Sequence, residues 1–282
     1  MANMVFDSDD PGDPMAQGAS PITWTHTNSG TPTIGIVTVQ VNAYNTGFGS
    51  VSAVTWDGET CDLRGSEQIQ YEGDPFSPGE DTFVKCWLFT IQDPGTGTVS
   101  VSHNDVSAGI WSAGSVAYTG GGVKVDLQTA TIGPFEGPDT QTIEINLSGS
   151  DADGVSVDSL ALGGTPQGSG QSELMARPFF GRMSHVVGGA TPFNPNMGWL
   201  VSSPGANIFA ASCMVGILFV DAAEGLLVLP GQEISAAPIG GQTAPNWNLP
   251  YPPFGQFDKS FAYNSFKTNK GLIDRYKNVK IF

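Results

Sequence analysis

VSAVTWDGETCDLRG, residues 51–65, decides the fold class. Asp57-Gly58 stands between Val54-Thr55-Trp56 and Thr60-Cys61-Asp62-Leu63. Both central positions of a two-residue hairpin turn need positive φ, and Asp-Gly supplies them at little steric cost. The flanking residues are β-branched, aromatic or alternating, so this stretch predicts two antiparallel strands.

The same reading extends in both directions. Upstream, residues 22–26 (ITWTH) alternate, and Asn28-Ser29-Gly30 makes a turn. Residues 33–43 put Ile34 and Ile36 on one face and Val37, Val39 and Val41 on the other. That is a strand partly buried on both faces, or one with a change of register. Downstream, residues 70–82 read as a loop and residues 83–92 (FVKCWLFTIQ) as a strong strand. Further strands are predicted at 98–103, 107–121, 140–149, 154–164, 183–187 and 198–202, with a long loop over 165–182. Residues 208–220 (IFAASCMVGILFV) form the most apolar run and suit a buried central strand. A short buried helix is the competing reading there. About ten or eleven strands with no convincing helix predict an all-β fold: a two-layer antiparallel β-sandwich, jelly-roll-like, with an extended C-terminal arm. No internal repeat is visible.

Three segments follow. Residues 1–20 are acidic and Pro/Gly-rich and read as a flexible lead-in. Residues 21–221 form the sandwich body. Residues 222–282 form the arm. Its first part, 222–258, contains six prolines, so NLPYPPFGQF is no central strand. The chain there is predicted to be extended, close to polyproline II. Fully extended, the arm spans up to ~200 Å, whereas a body of this size has a radius of gyration of about 16 Å. The arm is long enough to leave its own body and cross a neighbour.

The end of the arm inverts the charge of the chain. Residues 258–282 hold six of the eleven basic residues and two acids, a net of +4. Residues 1–257 hold five basic and 25 acidic residues, a net of −20. Nine of the 28 aromatic residues fall at or after Trp247. A basic, aromatic arm on an acidic body predicts protein–protein docking. The docking residues are Trp247, Tyr251, Phe254, Phe257, Lys259, Phe261, Tyr263, Phe266, Lys267, Lys270, Arg275, Tyr276, Lys277, Lys280 and Phe282. The final NVKIF has the alternation of an added edge strand.

Composition narrows the function further. A net charge of −16 disfavours nucleic acid as a partner. No apolar run reaches the ~20 residues of a membrane span, so no membrane partner is expected. The first residues lack the basic and apolar regions of a secretory signal. Cys61, Cys86 and Cys213 have no metal-ligand spacing and read as buried residues. A Cys61–Cys86 bridge is not expected in a chain made in a reducing cytoplasm.

No catalytic signature is present: no GxSxG, HExxH, phosphate-binding loop or GxGxxG after a strand. His26, His103 and His185 read as structural, and Asp57 is explained by its turn. The chain is therefore expected not to be an enzyme. Two acidic loops offer oxygen ligands for Ca²⁺, one with Glu72 and Asp74, the other with Asp151 and Asp153. Solvated loops are the simpler reading, and no cofactor is expected. Trp24, Trp56, Trp87, Trp111 and Trp199 read as core or rim packing, with a sugar-binding platform as the alternative.

The body from about residue 22 to 220 resembles β-sandwich proteins encoded among the structural genes of tailed bacteriophages. The resemblance rests on TWTH (23–26), VSAVTWDGETC (51–61), VKCWLF (84–89), SAGSVAYTG (112–120), GWLVSS (198–203) and AASCMVGILFV (210–220). It implies a structural role in a virion, as decoration, coat or tail component, and carries no catalytic residues across. Partners would be other copies of the chain or other virion proteins. The protein would be made in the host cytoplasm and located in the virion. The arm is not part of that shared layout and points to self-assembly. The second expectation is an extracellular glycan-binding or adhesin module, with a host surface glycan as ligand, or a filament subunit.

Overall fold

The computed structural model describes residues 4–11, 20–44, 47–71, 81–104, 109–120, 122–136, 139–149, 154–177, 181–188, 193–202 and 209–221. All lie in one compact unit, Met1–Leu227. Among them are seventeen strands and no helix.

The Asp57-Gly58 turn forms as read, with φ of 51° and 84°. Beside it, Trp56 pairs with Glu59. The first half of the unit contains β1 (Val5–Pro11), β2 (Ile22–His26), β3 (Ile34–Tyr44), β4 (Val51–Trp56), β5 (Glu59–Thr60), β6 (Asp62–Tyr71), β7 (Thr82–Gln92), β8 (Gly97–His103) and β9 (Ile110–Thr119). They build a large sheet, β1-β9-β3-β7-β6, and a small one, β2-β8-β4-β5. The first strand lies beside the last and the second beside the penultimate, which is jelly-roll order. After the hairpin the chain switches sheets: β5 ends in the small sheet, and β6 pairs with β7 in the large one.

The second half repeats this plan. It contains β10 (Gly122–Glu136), β11 (Thr140–Asn146), β12 (Gly154–Ala161), β13 (Gly164–Pro166), β14 (Ser172–Arg177), β15 (Gly181–Val187), β16 (Asn196–Ser202) and β17 (Phe209–Asp221). Its large sheet runs β10-β17-β12-β15-β14 and its small sheet β11-β16-β13. Each strand takes the place of its counterpart in the first half. β10 begins 117 residues after β1 (122 against 5), and β15, β16 and β17 each begin 99 residues after β7, β8 and β9. The predicted sandwich is thus present twice, and the repeat missed in the sequence is a repeat of topology.

Three apolar layers hold four sheets together. Val37, Val39, Val41, Trp87 and Trp111 pack against Val54, Trp56, Val99 and Val101 inside the first roll. Leu160, Met214 and Leu218 pack against Ile143, Ile145, Met197 and Trp199 inside the second. Between the rolls, Ile34, Ile36, Leu88 and Val116 of one large sheet meet Val157, Met183, Val215 and Ile217 of the other. β3 and β12 therefore bury both faces, and all eight residues of β12 are buried.

The rolls meet with approximate two-fold symmetry. β1 faces β14, and its counterpart β10 faces β6. β9 faces β14 and β15, and its counterpart β17 faces β6 and β7. The equivalent strands β3 and β12 meet each other. This is the contact pattern of an isologous dimer, realised within one chain.

Two expectations change, and a third is decided in favour of the strand reading. Val5–Pro11, read as part of a flexible terminus, is a strand. Residues 165–182, read as a loop, contain β13 and β14. Residues 208–220 contain a strand, Phe209–Asp221, and no helix. The predicted arm, 222–282, lies outside the described residues.

Candidate functional site: an acidic edge strand and the buried clusters behind it

β1 closes one side of the first large sheet and pairs only with β9 among the described strands. Its sequence, VFDSDDP, carries Asp7, Asp9 and Asp10 and no basic residue. The other outer strands of the large sheets each include a cation: Arg64 in β6, Lys124 in β10 and Arg177 in β14. β1 also holds two of the large exposed hydrophobic residues, Val5 at 53 % and Phe6 at 36 % exposure. Acid, exposed apolar side chains and an outer edge unpaired among the described strands coincide on one strand.

A buried hydrogen-bond chain anchors this strand. Trp24 Nε1 donates to Ser115 Oγ at 2.9 Å, and Ser115 Oγ meets His26 Nδ1 at 2.7 Å. His26 Nε2 meets Ser8 Oγ at 2.8 Å, and Ser8 Oγ donates to Asp7 Oδ2 at 3.0 Å. Ser8 has a single proton, which goes to the carboxylate, so His26 Nε2 is the donor to Ser8. Nδ1 of the neutral ring then accepts from Ser115. Burial lowers the His26 pKa to about 4, against the pull of Asp7, so the ring is neutral at ordinary pH. Phe6 packs edge-on against Tyr118 and His185, at 6.1 and 5.3 Å between centroids. Burial lowers His185 and Asp9 raises it.

The second roll buries a carboxyl, on β12 of its large sheet, whereas His26 lies on β2 of the first roll's small sheet. Asp158 is fully buried. Its Oδ1 accepts from Ser184 N and Oγ, both at 2.9 Å. Its Oδ2 accepts from Trp199 Nε1 at 2.8 Å and Gln171 Nε2 at 3.2 Å. Burial pushes the carboxyl up to about 7, although these donors favour the charged form.

A serine, a histidine and an aspartate in hydrogen-bond contact resemble the parts of a hydrolase. Here, however, His26 and Ser115 are wholly buried, and Ser8 is 8 % exposed. The chain of bonds ties β1 and β2 to β9, which is a positioning task. His103 Nδ1 contacts Asn104 O at 3.0 Å, and His185 Nδ1 contacts Tyr118 OH at 2.8 Å.

Trp24, Trp56, Trp87, Trp111 and Trp199 are all core residues, so none of them forms a surface sugar platform. Cys61 lies in the first roll's own core, while Cys86 points into the layer between the rolls. The two lie in separate layers. Burial, with help from Asp62, pushes the Cys61 thiol up to about 12. Glu72, Asp74, Asp151 and Asp153 lie outside the described residues, as does every arm residue from Trp247 to Phe282. The acidic edge escaped sequence reading because its pairing partner, β9, is more than 100 positions away. Compared with protein-family models, curated proteins and solved structures, the chain matches none.

Proposed function

We propose that this chain is a non-enzymatic structural protein of a phage-like virion that assembles when the C-terminal arm of one copy docks on the acidic edge strand of another. The carrying observation is complementarity. Residues 258–282 have a net charge of +4 and are rich in aromatics. β1 is acidic, partly apolar and unpaired on its outer side among the described strands.

The chemistry is that of strand addition. NVKIF supplies main-chain donors and acceptors to the edge. Lys277 and Lys280 neutralise the acids of β1, and nearby aromatics cover Val5 and Phe6. Prolines in 222–258 restrict the free arm, which lowers the entropy lost on docking. Charge pairing sets the partner and the encounter rate more than the affinity. The body is made in the host cytoplasm and placed in the particle by its arm.

Deleting residues 247–282 tests this reading. The expected product is a soluble, folded body that no longer assembles, by light scattering and electron microscopy. A truncated chain that forms the same assembly as the full chain would overturn it.

A further inference from the structure

Cys86 on β7 and Cys213 on β17 face each other across the interface between the rolls, 3.5 Å apart from Sγ to Sγ. Both are fully buried and free. A disulfide needs about 2.05 Å, so the sulfurs have roughly 1.5 Å to close. The strands that carry them also approach each other closely. Facing sheets usually stand about 10 Å apart, yet β7 and β17 come within 8 Å of each other, Cα to Cα. Disulfides accept Cα separations up to about 7 Å. Cys213 is also held in register: its thiol donates to the Glu67 carbonyl at 3.3 Å, and Glu67 is the ladder partner of Cys86.

The symmetry of the rolls shows that the fold does not require this pair. Counted from the strand starts, 99 residues apart, Cys213 in β17 corresponds to Gly114 in β9. A Cβ there would stand 2.6 Å from Met175 Sδ. One corner of the interface is filled by a methionine against a glycine, the equivalent corner by two thiols.

We propose that Cys86 and Cys213 form a disulfide that staples the two jelly rolls together once the protein meets an oxidant of the peroxide class. One thiolate sulfur attacks a peroxide oxygen, giving a sulfenic acid and water. The second thiol sulfur attacks that sulfur, the S–O bond breaks and a second water leaves. The two sulfurs together lose two electrons, and the peroxide is reduced to two waters. Burial pushes the Cys213 thiol well up, so closure is slow and proceeds when the interface breathes. The bond joins residues 127 positions apart and restricts the unfolded chain accordingly. The proposal needs nothing from the arm.

The test uses the full chain, purified reduced, treated with hydrogen peroxide in sub-denaturing urea and digested without reduction. A linked peptide pair containing Cys86 and Cys213 is expected, with Cys61 outside it. Tm should rise by roughly 10 °C. Cys86→Ala and Cys213→Ala should each abolish both the link and the rise. Recovery of the two thiols free or singly oxidised, or a linked protein that melts no higher than the reduced one, would overturn the proposal.

Discussion

The two jelly rolls share a strand order and differ in the polar group they bury. The first holds a neutral imidazole, His26, in a hydrogen-bond chain that surfaces at Asp7 on β1. The second holds a carboxyl, Asp158, whose donors, from Gln171, Ser184 and Trp199, all belong to its own roll. The frame thus fixes where strands go and leaves the chemistry of the interior open. In the first roll the buried group ties an edge strand to the core. In both rolls the buried group also joins the small sheet to the large one, through His26 on β2 in the first and Trp199 on β16 in the second.

The largest expected effect separates these roles. Asp158→Ala leaves the Trp199, Ser184 and Gln171 donors buried without their acceptor, and should cost about 3–5 kcal/mol in urea unfolding. Ser115→Ala removes a partner of Trp24 and His26 and should cost about 1–3 kcal/mol. Equal costs would break the distinction between a central hub and an anchoring chain.

The pH dependence comes next, and its two signs oppose. His26 titrates at about 4 in the folded chain, below its ordinary 6.5. The unfolded chain takes up that proton first, so the His26 contribution is full above pH 6.5 and is lost as pH falls towards 4. Asp158 titrates at about 7, above its ordinary 3.8. Its contribution is full below pH 3.8 and is lost as pH rises through 7. Between pH 4 and 6.5 the two trends partly cancel. Asp158→Asn removes the falling one, so the variant's Tm should climb more steeply with pH than the wild type's. Parallel Tm–pH curves would contradict this assignment.

The smallest effect probes the interface both rolls share. Gly114→Ala pushes a methyl towards Met175, whose flexible end can give way, and should cost about 1 kcal/mol. A much larger loss would show that the close approach of the sheets there is rigid.

Much of the first roll was legible because its signals are local. Asp57-Gly58 announces its hairpin, and Ile34 to Val41 announce two buried faces. The duplication was not legible, because equivalent strands share a period of two and few residue types. IGIVTVQVNAY and GVSVDSLA occupy the same place in the two sheets. β1 was hidden by its aspartates and proline, which read as a solvated terminus. β13 was hidden by its three-residue length and β14 by the Gly/Ser-rich run before it, while β10 was not read because two register shifts and Pro134 break its alternation. Of the docking site, the arm's charge was visible, whereas the edge that complements it exists only once β1 meets β9.

The central claim is that the arm of one copy reaches β1 of another. Zero-length carbodiimide cross-linking of an assembly mixed from unlabelled and heavy-isotope-labelled copies measures this directly. Mixed-isotope links should join Lys277 or Lys280 to Asp7 or Asp9. Links confined to single copies, or arm lysines joined only to acids elsewhere, would contradict the claim.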